Sequence, residues 1–139
     1  MKRLRAHEIK LDEWRCRVVV LIGGSDTQLT TLFKRYSTNK ADTDFFVRSI
    51  REASGCCAIT LQPTGYTHTQ FIYLHTTPKL ADPYAVNSLA HECLHVTFGV
   101  MKHVGVRLTS ASEEVFCYAH GHLIEQVWLK LKRPTGVRR

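Results

Sequence analysis

No stretch of this sequence stays apolar long enough to cross a bilayer, and no charged leader with an apolar run and small-residue cleavage site opens it. Neither a helical membrane protein nor a signal-directed secreted protein is expected. Paired cysteine spacing is lacking too. The five cysteines, Cys16, Cys56, Cys57, Cys93 and Cys117, are odd in number and none stands in a CxxC pair, which argues against a disulfide framework and against a cysteine-based structural zinc site. Buried thiols in a reducing compartment are the expectation. Zinc-finger spacing, an aromatic RNA-binding signature, a basic recognition helix, internal repeats and low-complexity tracts are also absent.

What is present suits one soluble domain. Hydrophobic residues make up 44% and charged residues 22% of 139, so disorder and fibrous classes are excluded and residues 1–139 are read as a single domain. The net charge is +7, concentrated in MKRLR at the start and KLKRPTGVRR at the end. These stretches read as basic tails over 1–10 and 132–139, ordinarily solvated, with nucleic acid a weakly supported partner.

RCRVVVLIGG, Arg15 to Gly24, reads as a buried strand that stops at a glycine pair. Ser25 or Asp26 then caps a helix to about Tyr36, and a second helix is expected from Asp44 to Ala53. Cys57 to Pro63 and Phe71 to Thr77 read as strands joined by a turn. Asp82-Pro83 opens a long helix that runs to His103 and stops at Gly105. A last helix is expected from Ser110 to Leu131, with a capping box between Ser110 and Glu113. The fold class is therefore α+β, helices packed on a small sheet of three strands or more.

The long helix carries LAHECLHV. His91 and His95 stand four apart on one face, so both imidazoles can reach a single ion, and Glu92 lies about a third of a turn away, placed to carry a proton without ligating. That is the chemistry of an HExxH zinc site with Glu92 as general base. A catalytic zinc takes three protein ligands and one open position. The third can come from Glu113, Glu114, His103, His120 or His122. Glu114 is preferred because the capping box gives Glu113 another task, although the apolar positions Val115, Phe116, Ala119, Leu123 and Val127 lie nearer Glu113 on the helical wheel. His120 and His122 read as partly exposed helix residues or supporting donors, and His103 as a helix-end cation.

LAHECLHV, the glycine turn and SEEVFCYAHGHL together resemble the small metallopeptidases encoded by tailed bacteriophages and prophages, and more distantly the gluzincins. In the gluzincin pattern the ligand glutamate is followed by a small residue three positions on and a polar one at four. Glu114, Cys117 and Tyr118 match that spacing, with cysteine and tyrosine replacing the usual alanine and acid or amide. The resemblance spans about Leu80 to Leu123. It implies a minimal zincin-like fold with one zinc ion on His91, His95 and Glu114, and Phe71 to Thr77 as the strand at the cleft edge. It further implies hydrolysis of a protein or peptide substrate, phage structural proteins as further partners, and the host cytoplasm or virion as location. Tyr118, Tyr73 and His122 are the candidate oxyanion donors. Two other readings are a non-catalytic zinc-binding virion or assembly protein, and a basic nucleic-acid-binding protein.

Overall fold

The computed structural model describes residues 3–64 and 68–132. In chain order the elements are β1 (Arg5–Leu11), a 3-10 turn (Asp12–Trp14), β2 (Cys16–Ile22), α1 (Asp26–Arg35), α2 (Lys40–Glu52), β3 (Ala58–Leu61), β4 (Thr69–Leu74), α3 (Pro83–His103) and α4 (Glu113–Lys132). The four strands form one mixed sheet ordered β1-β2-β4-β3, antiparallel at both ends and parallel between β2 and β4. The class is α+β.

The unbroken apolar run of β2 follows from burial on both faces. Val18, Val20 and Ile22, with Ile72 and Leu74, join Leu89, Cys93, Val96 and Val100 of α3 and Leu123 and Val127 of α4. Val19 and Leu21, with Phe71 and Tyr73, pack instead on Leu29, Phe33, Phe46 and Ile50 of α1 and α2. The sheet is thus the middle of three layers, and each buried Val, Leu, Ile or Phe contributes about 1.5–3 kcal/mol.

Helix ends follow local chemistry. Ser25 and Gln28 form a reciprocal capping box at α1. Asp82 accepts from the Tyr84 amide beside Pro83 at the start of α3. At the other end of α3, Gly105 adopts φ +78°, and the amides of Gly105 and Val106 bond back to the carbonyls of Lys102 and Met101 at 3.2 and 2.9 Å. This paired closure satisfies carbonyls that would otherwise be orphaned.

Several expectations are corrected. Residues 5–10 are not a tail: Arg5–Leu11 pairs along its length with β2, because Ile9 and Leu11 alternate inward and are buried. Helix α2 starts at Lys40, four residues before Asp44, because Asn39 accepts from the Asp42 amide. In α2, Phe46 is buried while Phe45 is 52% exposed. Helix α4 starts at Glu113 rather than Ser110. In place of the capping box expected at Ser110, the Ser112 hydroxyl accepts from the Thr109 amide and donates to the Arg107 carbonyl, holding a turn before the helix. Finally, β4 is not a sheet edge. It is buried along its whole length between β2 and β3, and β3 is the edge strand on that side. The expected C-terminal tail over 132–139 lies almost entirely outside the described residues.

Candidate functional site

The rotation of α3 is set by Leu89, Cys93, Val96 and Val100, which face the sheet. This turns His91 and His95 to the outside, where both are exposed. Their Nε2 atoms stand 3.0 Å apart, with ring centroids at 4.7 Å. Without an ion, that contact is a hydrogen bond when one ring carries its proton on Nε2 and the other presents a lone pair. Two nitrogens on one tetrahedral zinc lie about 3.3 Å apart for bonds of roughly 2.0–2.1 Å, so the pair needs only a slight adjustment to share an ion.

Glu92 points to the side of α3 that meets the edge strand. The Thr60 hydroxyl of β3 lies 2.7 Å from Glu92 Oε2 and 3.0 Å from the Glu92 carbonyl. Just beyond β3, Gln62 Nε2 donates to the His95 carbonyl at 2.7 Å. Two bonds from one side of the sheet therefore fix the turn that carries the motif. The helix comes close enough for this because residue 99 is glycine: a Cβ there would fall 2.6 Å from Gln62 Nε2 and 2.9 Å from Gln70 Oε1. Thr60, Gln62 and Gly99 were not foreseen. They act across elements, and the sole sequence signal was a glycine inside an otherwise helical run.

Helix α4 presents Phe116, Ala119, Leu123 and Val127 to the core. Glu113, three residues before Phe116, shares that side and lines a groove of about 540 Å³ between α3 and α4, together with Leu94, Phe98, Leu108 and His120. Glu113 and Glu114 are both exposed, and Glu114 lies on the side of α4 that carries Tyr118, which is 62% exposed. The other candidates are dispersed. His103 sits at the end of α3 against the His68 ring at 4.9 Å. His120 Nδ1 is 3.5 Å from the Thr97 hydroxyl, and His122 stacks on Tyr118 beside Trp14. Tyr73, a candidate oxyanion donor, belongs to the α1–α2 side of the sheet and cannot serve a site on α3; its burial raises the pKa of its phenol.

The donor chemistry of the imidazole pair fits a nitrogen-ligating divalent ion such as zinc. Among the described residues, however, no three His, Cys, Asp or Glu side chains stand together as a ready metal group, so the third ligand is not in place. All five cysteines are free; Cys16 and Cys93 are buried as expected, but Cys56, Cys57 and Cys117 are exposed. Burial and the neighbouring Glu92 charge push the Cys93 thiol up to about 12, which removes it as a nucleophile at neutral pH. Among the described residues, no helix is long and apolar enough to cross a membrane. No family model, curated protein or solved structure matches the chain.

Proposed function

We propose that this chain is a zinc-dependent peptidase of the HExxH type, in which His91 and His95 hold the ion and Glu92 is the general base. The observation that carries the reading is the convergence of the two Nε2 atoms to 3.0 Å, with Glu92 of the same turn held toward the edge strand. His91 and His95 would hold the ion, which would supply an acidified water and polarise a carbonyl. Glu92 would take a proton from the attacking water as its oxygen bonds to the carbonyl carbon, and would pass that proton to the departing amine as the carbon–nitrogen bond breaks.

A peptide substrate is favoured by the outer edge of β3, which pairs with no strand among the described residues. An extended peptide can join that edge through main-chain bonds, which brings it alongside Thr60 and Glu92. The likeness of LAHECLHV and SEEVFCYAHGHL to small phage-encoded metallopeptidases points the same way. For the third ligand we assign Glu113 in place of Glu114. The capping role that argued against Glu113 is not formed, and its side chain lines the groove next to Leu94.

The test is metal content and peptide hydrolysis by the purified protein beside Glu92→Gln. The variant keeps the metal and loses activity by about two to four orders of magnitude. A Glu92→Gln protein with full activity would refute the assignment. A second reading, a non-catalytic zinc-binding assembly protein, draws support from the dispersed third ligand. It predicts bound zinc with no hydrolysis by the wild type.

A further inference from the structure

A concavity of about 700 Å³ opens where β2 and β4 finish, away from the histidine pair and lined by no residue of α3 or α4. One wall is cationic. Arg3, Arg5 and His7 alternate along β1 and its approach, so the pleat turns them to the same face as the buried Ile9 and Leu11. The row is apolar where it packs on the helices and basic where it runs out beyond them. Thr76 and Thr77 form the opposite wall, with Gly23 between. The Arg5 guanidinium bonds to the Thr77 hydroxyl, which holds its planar head at the mouth of the concavity.

These cations lack acid partners. Elsewhere Arg17 meets Glu8 at 3.8 Å, Lys40 meets Asp44 at 2.7 Å, and Arg51 pairs with Asp26. Among the described residues, Arg3 and Arg5 are in no ion pair, and no Asp or Glu lines the concavity. The positive field reaches His7, whose pKa is lowered first by burial and then by the charges of Arg5 and Lys130. The start of α1, close in sequence, takes no part because Ser25 and Gln28 satisfy each other there.

We infer that this concavity is an anion site for the phosphate group of a nucleotide, free or within a strand, with Arg3 and Arg5 as its clamp and the Thr76 and Thr77 hydroxyls as neutral donors. Guanidinium forks match the several acceptors of a tetrahedral oxyanion, and hydroxyls add donors without further charge. The volume lies within the range of small-ligand pockets, about 300–1,000 Å³. The overall charge of +7 would draw polyanions toward the molecule from a distance.

The test measures binding of adenosine monophosphate by calorimetry and of a labelled thymidine oligonucleotide by anisotropy, at several salt concentrations. Wild type is compared with Arg3→Ala, Arg5→Ala, the double variant and Arg48→Ala, the last removing an exposed charge from α2. The inference predicts that the double variant loses about tenfold or more against the probe that binds, while Arg48→Ala keeps wild-type affinity. Binding of the monophosphate identifies a free nucleotide as ligand. Binding of the oligonucleotide alone identifies a strand, and its salt slope should then fall by about one for each arginine removed. Arg3 is exposed and Arg5 lies on the outer strand, and Arg3→Ala provides a variant that leaves the sheet pairing untouched. No binding of either probe by the wild type, or equal loss in Arg48→Ala, would overturn the site.

Discussion

The two helical layers differ in what they leave exposed. On the α1–α2 side the aromatic rings are interlocked: Phe71 meets Phe33, Tyr36 and Phe46 with centroids at 5.1, 5.8 and 6.1 Å, edge to face. Buried Asp42 ties that layer to the segment after β3 by accepting from the Thr64 amide and hydroxyl. The α3–α4 side is mainly aliphatic inside, and Leu94, Phe98, Leu108 and Tyr118 are exposed on its outer surface. Among the described residues of α1 and α2, the one large apolar side chain left exposed is Phe45, which the Arg48 guanidinium covers. The layer that retains exposed apolar and ionisable groups together is the one where binding chemistry is to be sought.

Two aromatic truncations test that contrast most severely. Phe71 is fully buried, and Phe71→Ala should cost about 3–5 kcal/mol. Phe98 is 43% exposed and touches Phe116 at a centroid distance of 5.6 Å, so Phe98→Ala should cost about 1 kcal/mol or less. Urea midpoints with unchanged slopes measure both. Equal losses would mean that the α3–α4 groove is structural packing rather than a surface kept open.

A second difference is ionic. The Cys93 thiol is raised from 9.0 to about 12 in the folded chain, so above pH 9 the unfolded state ionises first and holds fewer protons. Stability therefore falls as pH rises from 9 toward 12, by on the order of 1 kcal/mol per pH unit in the middle of that window. Cys93→Ala should flatten the slope, whatever its effect on absolute stability. At neutral pH a thiol reagent should modify Cys56, Cys57 and Cys117 but spare Cys16 and Cys93 in the native protein.

Much of this architecture is local in origin and was legible in the sequence. The β-branched run of β2, the Ser25 cap, the Asp82-Pro83 start of α3 and the Gly105 stop each act within a few residues. What was not legible depends on partners distant in the chain. RAHEIKL reads as a basic tail until β2 pairs with it and buries Ile9 and Leu11. The identity of the edge strand depends on sheet order, which no single segment encodes. The imidazole pair was legible because helical geometry alone brings residues four apart together. A third ligand was not, since no carboxylate within the motif helix can supply it and the choice between Glu113 and Glu114 turns on how α4 packs through Phe116, Ala119, Leu123 and Val127.

That packing yields the next test. If Glu113 closes the metal site, Glu113→Ala should weaken zinc binding by more than the roughly 10–100-fold typical of losing a supporting hydrogen bond, and Glu114→Ala should leave it unchanged. Titration against a competing chelator separates the two. The reverse order would restore Glu114, and equal affinities in all three proteins would show that neither acid is a ligand.

The smallest expected effect concerns the bond that joins the motif to the sheet. Thr60 Oγ1 has one proton and two acceptors within 3.0 Å, the Glu92 carboxylate and the Glu92 carbonyl, and the carboxylate is the nearer at 2.7 Å. Thr60→Val keeps the shape and removes that donor. Because Glu92 is only partly buried, water can replace the lost bond, so stability should fall by about 1 kcal/mol rather than the roughly 1.5–3 kcal/mol of a sheltered charged bond. The helix remains held at the His95 carbonyl by Gln62. Zinc affinity should therefore persist in Thr60→Val, while hydrolysis falls because the base has lost the contact that aims it. A variant with unchanged turnover would separate the fold's grip on Glu92 from any catalytic use of it.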